Sequence, residues 1–514
     1  MSLNNLPVEV LHQILGYFCI HCSQRQSEEP PDAYLQEGDQ KPDQPSWYSL
    51  QCHVLVSVCL TSKRLCSIEQ PVLYHEFVLG YGDSWRSDHY TWDGRLTSFM
   101  MTMARRRDLA RHVKRVYIHP YLLESLGSKG HSRESFSTSH RREYIFDEEA
   151  CLAIRALAAS MGVAKPRKPT IGDFISLLLT ALPNLDRCSF QLGPYADDIV
   201  RGARLSSAGV TELPLRILDI SQRTGWIQSE LPGFEEYVRS LFKVAPHLET
   251  LNLHACRVIN TKTYAPFLAN LKYLRMALNQ SPSSSLEVLL SLCTSLRSFI
   301  YESGPYQYTT YRPQEKLRLH HAVEYLHHSR ETLESVHLDL RLHGRPGLGA
   351  HGPATPIPSL RDFPAMKNLL VNLQEFKTYP LADAKILPEF LPPNIECLQL
   401  PGEIDECHVV WPRQRQIVLL SGLTEAIAQG SFPKLKDIQC EDFLGPPDVE
   451  AVNSRLAAVG VGVGYRSWPS TVSTLDDSKV SDLPPMFSPP VQSMCHPNEI
   501  SCYMPYPDED EPDL

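Results

Sequence analysis

The sequence predicts an α/β fold, in which an all-helical N-terminal unit precedes an irregular array of short strands and helices. Three observations support this prediction. Apolar residues near the N-terminus have helical spacing. The pattern apolar-x-x-apolar-x-apolar then recurs about ten times along the chain. Segments with helical periodicity lie between the recurrences, so strands alternate with helices.

Composition excludes several classes of protein. A chain of 514 residues with 42% hydrophobic residues can bury a large core. Its formal net charge of -10 provides no basic field, so a nucleic-acid partner is not expected. No apolar run approaches the roughly 20 residues of a membrane-spanning helix, and no secretory signal is visible. We expect a cytoplasmic and/or nuclear protein with no membrane partner and with reduced cysteines.

Apolar residues at positions 7, 10, 11, 14, 15 and 18 have the spacing of an amphipathic helix, with Pro7 in its first turn. Two further short helices are expected around residues 50–60 and 61–71, the second closed by Pro71. A polar insertion over residues 23–47, rich in Gln, Glu, Asp and Pro, is expected to be disordered. Periodicity alone favours a small helical cap on the domain that follows.

The residue motifs of this region are more specific than its periodicity. Residues 6–18 read Leu-Pro-x-Glu-Val-Leu-x-x-Ile-x-x-Tyr-Phe, residues 58–65 read Val-Cys-Leu-Thr-Ser-Lys-Arg-Leu, and residues 70–74 read Gln-Pro-Val-Leu-Tyr. Together these motifs resemble an F-box over residues 1–80, and residues 74–82 look like a filamentous-fungal group of that family. The resemblance implies docking on a Skp-family adaptor and, through it, on a cullin ubiquitin ligase. It places the following residues in or beside the adaptor contact: Leu6, Pro7, Val10, Leu11, Ile14, Leu15, Val58, Leu60 and Leu65.

The recurring pattern in residues 81–465 resembles a degenerate leucine-rich repeat. The resemblance implies an irregular solenoid with parallel strands on a concave face and helices on a convex face. The alternative is an ordinary α/β domain with helices on both faces of its sheet. A last strand is expected at residues 460–465, followed by a disordered, Pro-rich acidic tail over residues 466–514. The units start at Val113, Leu185, Leu215, Leu248, Leu271, Leu296, Leu333, Leu373, Ile395 and Leu435.

Strand alternation places the residues two and four positions after each start on the face away from the core. For the unit at Leu373, these are Glu375 and Lys377. Mixed charge with Tyr and Arg side chains suits a protein ligand. The candidate substrate-binding residues are Arg115, Tyr117, Arg187, Thr250, Asn252, Tyr273, Arg275 and His337.

No catalytic, metal or cofactor site is expected. Cys19 and Cys22, with Cys52 and His53, have the residue types of a zinc site, but no second close cysteine pair follows them. Ser84 follows Gly-Asp without the strand-to-helix turn that activates a nucleophilic serine, so hydrolase activity there is a remote third possibility.

The expected function is that of a non-enzymatic substrate-recognition subunit of a Skp-cullin-F-box type ubiquitin ligase. Its N-terminal helices would bind the adaptor, and its repeat domain would bind an unknown protein substrate. The alternative is a leucine-rich-repeat interaction scaffold outside the ubiquitin system.

Overall fold

A computed structural model describes most of the predicted repeat domain and the N-terminal helices. The described residues are 3–19, 21–22, 47–78, 94–118, 122–123, 125–127, 146–163, 169–192, 212–222, 241, 243–254, 268–279, 281–303, 317–340, 357–373, 376, 383–402, 413–440 and 446–465. The predicted tail and all of the polar insertion except Trp47 lie outside these residues. Ser84, the candidate nucleophile, also lies outside them.

Within the described residues, twelve strands form one sheet in which strand order follows chain order and neighbouring strands pair in parallel. This sequential order is compatible with a solenoid-like arrangement. The strands are β1 (Glu76–Val78), β2 (Arg115–Ile118), β3 (Arg187–Leu192), β4 (Ile217–Gln222), β5 (Thr250–His254), β6 (Tyr273–Asn279), β7 (Ser298–Ser303), β8 (Ser335–Asp339), β9 (Asn368–Val371), β10 (Cys397–Leu400), β11 (Asp437–Cys440) and β12 (Gly462–Tyr465).

Helices precede β1 and lie between many of the later strands. The α-helices are α1 (Val8–Gly16), α2 (Trp47–Thr61), α3 (Lys63–Leu73), α4 (Arg95–Arg105), α5 (Arg107–Ala110), α6 (Glu148–Ser160), α7 (Ile171–Ala181), α8 (Ser283–Leu292), α9 (Leu319–Leu326), α10 (Asp383–Phe390), α11 (Arg413–Ala428) and α12 (Pro446–Ala458). In the ranges given above, none of the helices combines the length and apolar character needed to cross a bilayer.

Side-chain caps explain where several helices begin. Ser62 accepts a hydrogen bond from the Leu65 N–H at the start of α3, and Asp147 accepts one from the Ala150 N–H at the start of α6. Thr170 and Asp173 form a reciprocal capping box at α7. Each cap satisfies an N–H group that has no partner within its own helix.

The predicted repeat spacing agrees with the strand positions except at one unit. Every predicted start apart from Leu373 precedes a strand by two residues, and β12 coincides with the expected last strand. The start at Leu373 is wrong, because β9 ends at Val371. Met366, seven residues earlier, begins another copy of the pattern, and its side chain is fully buried. Glu375 and Lys377 therefore do not belong to β9, and both lie outside the described residues.

One face of the sheet holds the main hydrophobic core. At least one residue from each of β2 to β11 belongs to this core with at most 2% exposure, and the helices α4 to α12 contribute to the same cluster. Among the described residues, no second apolar cluster lies on the opposite face. This arrangement differs from the alternative of a sheet buried by helices on both faces. The strand residues are Val116, Cys188, Leu218, Leu251, Leu274, Phe299, Val336, Leu369, Leu398 and Ile438.

The N-terminal helices α1, α2 and α3 have their own small core. Leu11 and Leu15 of α1 pack with Leu55 of α2 and with Leu65 of α3. The expectation that Pro71 closes the last of these helices is wrong by two residues, because α3 continues to Leu73. Pro71 has no N–H to donate to the carbonyl four residues earlier, and only the last two residues of α3 follow it.

Candidate functional site

The predicted adaptor residues divide into a buried and an exposed set. Leu11, Leu15 and Leu65 are at most 4% exposed and form part of the core of the helical unit. Leu6 and Val58 are half-buried and pack against that core. These five residues hold the helices together, so a partner reaches the first three only if the helical unit opens.

The other predicted adaptor residues remain at the surface. Val10 and Ile14 lie one helical turn apart on α1, and each is 37% exposed. Leu60, at the end of α2, is 82% exposed, and Pro7 is also exposed. Helix α1 therefore has one apolar face that packs in the helical core and another that reaches solvent. Grouped exposed apolar residues are typical of an interaction surface.

The structure places all eight predicted substrate-binding residues on strands, on the face of the sheet away from the core. Neighbouring strands align them directly: Arg115 pairs with Arg187, and Thr250 with Tyr273. Two residues further along β5 and β6, Asn252 pairs with Arg275. We call this surface the polar sheet face. The alternation of strand side chains explains the shared orientation, and the role of these residues in substrate binding stays a prediction.

Asp219 lies at the centre of a buried network on the polar sheet face. Its carboxylate accepts hydrogen bonds from Arg187 Nε at 2.6 Å, from Ser189 Oγ at 2.5 Å and from Asn252 Nδ2 at 2.6 Å. The Arg187 and Asp219 side chains are 8% and 2% exposed. Three donors on one buried carboxylate compensate for its loss of hydration.

A second polar network joins strands β6, β7 and β8. Arg275 Nη2 donates to Glu302 Oε1 at 3.1 Å, and His337 Nε2 lies 3.8 Å from the same oxygen. The Arg275 and Glu302 side chains are 6% and 8% exposed, whereas that of His337 is 24% exposed. This network therefore has a buried ion pair beside a partly accessible imidazole.

Burial changes which predicted substrate residues a ligand could contact. Five of them have 4–8% exposure: Arg115, Tyr117, Arg187, Asn252 and Arg275. Burial, together with the nearby Arg187 guanidinium, lowers the pKa of Arg115. Tyr273 is 45% exposed, and Thr250 and His337 are half-buried. Among the predicted substrate-binding residues, a ligand in solution could therefore contact mainly Tyr273, Thr250 and His337.

The cysteines that resemble zinc ligands acquire different neighbours from those considered in the sequence. Cys19, His21, Cys22 and His75 converge, and one ligand atom of each lies within 4.8 Å of the others. Cys52 and His53, on α2, do not belong to this group. Sequence reasoning missed His75 because it follows α3, far along the chain from the cysteine pair.

No protein-family model matches the chain, and no curated protein matches it.

Proposed function

We propose that this chain is a substrate-recognition subunit of a Skp-cullin-F-box type ubiquitin ligase. In this proposal, the helical unit binds a Skp-family adaptor, and the polar sheet face of a leucine-rich-repeat-like solenoid binds a protein substrate. The chain supplies proximity and no catalytic group, since holding a substrate near the conjugating enzyme raises its effective concentration.

The observation that carries the proposal is the exposed apolar face of α1. Val10 and Ile14 reach solvent, although Leu11 and Leu15 of the same helix are buried in the helical core. Exposing apolar side chains to water is unfavourable, so this face favours a binding role. Together with Leu60, it offers the aliphatic contacts that a hydrophobic groove on an adaptor would bury.

The alternative function is an interaction scaffold in which the helical unit serves only as a terminal cap. A cap should bury its apolar residues against the solenoid. Burial of Leu11 and Leu15 is compatible with a cap, but the exposure of Val10, Ile14 and Leu60 is not required by one. The exposed residues therefore favour the adaptor-docking proposal over the scaffold.

Two features of the polar sheet face support the proposal that it binds a protein substrate. Tyr273 is an exposed aromatic residue beside Thr250, and aromatic residues are frequent binding anchors. The buried networks around Asp219 and Glu302 keep the neighbouring strands and their side chains in defined positions. A rigid surface loses less conformational entropy when it binds a partner.

Co-expression of the full chain with a Skp-family adaptor tests the docking proposal. We expect a stoichiometric complex in size-exclusion chromatography with light scattering. The double substitution Val10→Asp with Ile14→Asp should weaken binding more than about tenfold, because it places two charges in an apolar contact. Leu15 is left unchanged, since a charge at a buried position would unfold the helical unit.

The matched control is Leu152→Asp with Val418→Asp, which alters two exposed aliphatic residues on α6 and α11. This variant should bind the adaptor with the affinity of the unaltered chain. Both variants should have the same melting temperature as the unaltered chain. Unchanged affinity after the α1 substitutions would refute docking through this surface. A folded chain that forms no complex at all would favour the scaffold.

A further inference from the structure

A cluster of two thiols and two imidazoles lies where the helical unit meets the sheet. Cys19, His21 and Cys22 follow α1, and His75 lies between α3 and β1. We call these four residues the Cys–His cluster. Cys19 and His21 are each 3% exposed, and both cysteines are free thiols. The proposed function leaves this cluster without a role.

The spacing of the ligand atoms suits a tetrahedral metal ion. Cys22 Sγ lies 3.3 Å from His75 Nδ1 and 3.7 Å from His21 Nδ1, and Cys19 Sγ lies 3.6 Å from His75 Nδ1. A tetrahedral zinc ion with sulfur at about 2.3 Å and nitrogen at about 2.0 Å separates these two atoms by about 3.5 Å. The three distances lie close to that value.

We propose that the Cys–His cluster binds one zinc ion. Two thiolates and two imidazoles form a donor set that is typical of structural zinc sites. Four protein ligands leave no position open for water or substrate, so the ion is structural rather than catalytic. Binding replaces weak hydrogen bonds between thiols and imidazoles with metal–ligand bonds.

The surroundings of the cluster orient its ligands. The backbone N–H of His21 donates to Glu76 Oε1, and Cys19 Sγ lies 3.7 Å from the same oxygen. The carbonyl oxygen of His75 accepts hydrogen bonds from the N–H groups of Lys114 and Arg115 at 2.7 and 3.0 Å. His75 is therefore held by the start of the sheet, and Glu76 of β1 restrains the segment that carries His21. Outer contacts of this kind are common around bound metals.

The position of the ion has a mechanical consequence. Three ligands follow α1, whose Leu11 and Leu15 pack in the helical core, and the fourth precedes β1. Zinc would therefore join the helical core to the first strand and limit movement of one against the other. This inference does not depend on adaptor binding, because the same link would stabilise a terminal cap.

Metal content and cobalt spectroscopy of the full chain test the proposal. We expect about one zinc per chain by mass spectrometry of the purified protein. After chelation, Co²⁺ should produce the visible absorption of a tetrahedral ion with thiolate charge-transfer bands, and Zn²⁺ should remove that spectrum. Chelation should lower the melting temperature, and added Zn²⁺ should restore it.

The variant Cys22→Ser with His75→Ala should lose at least nine tenths of the bound zinc. The matched control, Cys52→Ser with His53→Ala, removes the same residue types from α2 and should keep the full zinc content. The cobalt titration uses the unaltered chain, so it remains decisive even if the first variant fails to fold. Zinc well below one per chain with no cobalt spectrum would overturn the proposal, as would a Cys19–Cys22 disulfide in the freshly purified protein.

Discussion

Arg187 Nε donates to Asp219 Oδ2 at 2.6 Å between adjacent parallel strands, on a sheet face where both side chains are almost fully buried. The arginine belongs to the set predicted to contact substrate, yet its charge is already compensated within the chain. Ser189 and Asn252 complete the contacts of the same carboxylate. This part of the polar sheet face is therefore a structural network, and in the proposed function substrate contact falls to more exposed residues of the face such as Tyr273.

Asp219→Ala should destabilise the chain by about 3 to 5 kcal/mol, because it leaves the Arg187 guanidinium buried without its counter-charge. Urea unfolding measures this loss. The control is Glu334→Ala, which removes the carboxylate of the exposed Lys367–Glu334 pair and should cost less than about 1 kcal/mol. Equal effects of the two substitutions would contradict the importance assigned to burial.

The buried carboxyl group of Glu69 lowers the stability of the folded chain in a pH-dependent way. Its side chain is fully buried in α3, and neither carboxylate oxygen has a hydrogen-bond partner among the described residues. Burial raises the pKa of Glu69 from its ordinary 4.5 to about 7. Between these two values the folded chain holds more protons than the unfolded chain, so this group's contribution to stability falls as pH rises.

Glu69→Gln should therefore stabilise the chain at about pH 8 and have little effect at about pH 4. The expected gain is about 1 to 2 kcal/mol, less than the full pKa shift implies, because structural relaxation and water penetration reduce the cost of burying the charge. Thermal melting across this pH range measures it. Glu9→Gln, at an exposed position of α1, serves as the control. A gain that is the same at both pH values would show that ionisation of Glu69 is not the cause.

Gly422 allows helices α10 and α11 to approach closely. A side-chain Cβ at this position would overlap the backbone carbonyl of Ala384, and backbone atoms cannot move aside easily. Gly422→Ala should therefore lower stability by about 1 to 3 kcal/mol or more, as measured by urea unfolding. Gly464→Ala is the matched control, because its Cβ would lie 3.8 Å from the nearest side-chain atom. Similar effects at both glycines would exclude close packing as the reason.

The repeat pattern allowed most of the sheet to be predicted. Apolar residues at fixed spacing must turn towards one core, so the same pattern also assigns the intervening residues to the opposite face. Leu373 shows where this reasoning fails. It is buried, like the true core positions of β9, but its backbone N–H bonds to the Pro401 carbonyl after the strand has ended. Pattern alone cannot decide which of two successive apolar segments forms the strand.

Local patterns along the chain were therefore sufficient for the α/β class, the N-terminal amphipathic helix and the face on which most strand side chains lie. Only the tertiary structure separates Ile14 from Leu15 as exposed and buried, and only it brings His75 to Cys22. The physical reason is range: helix and strand periodicity arise from neighbouring residues, whereas burial, charge pairing and metal geometry depend on atoms that meet only after the chain folds.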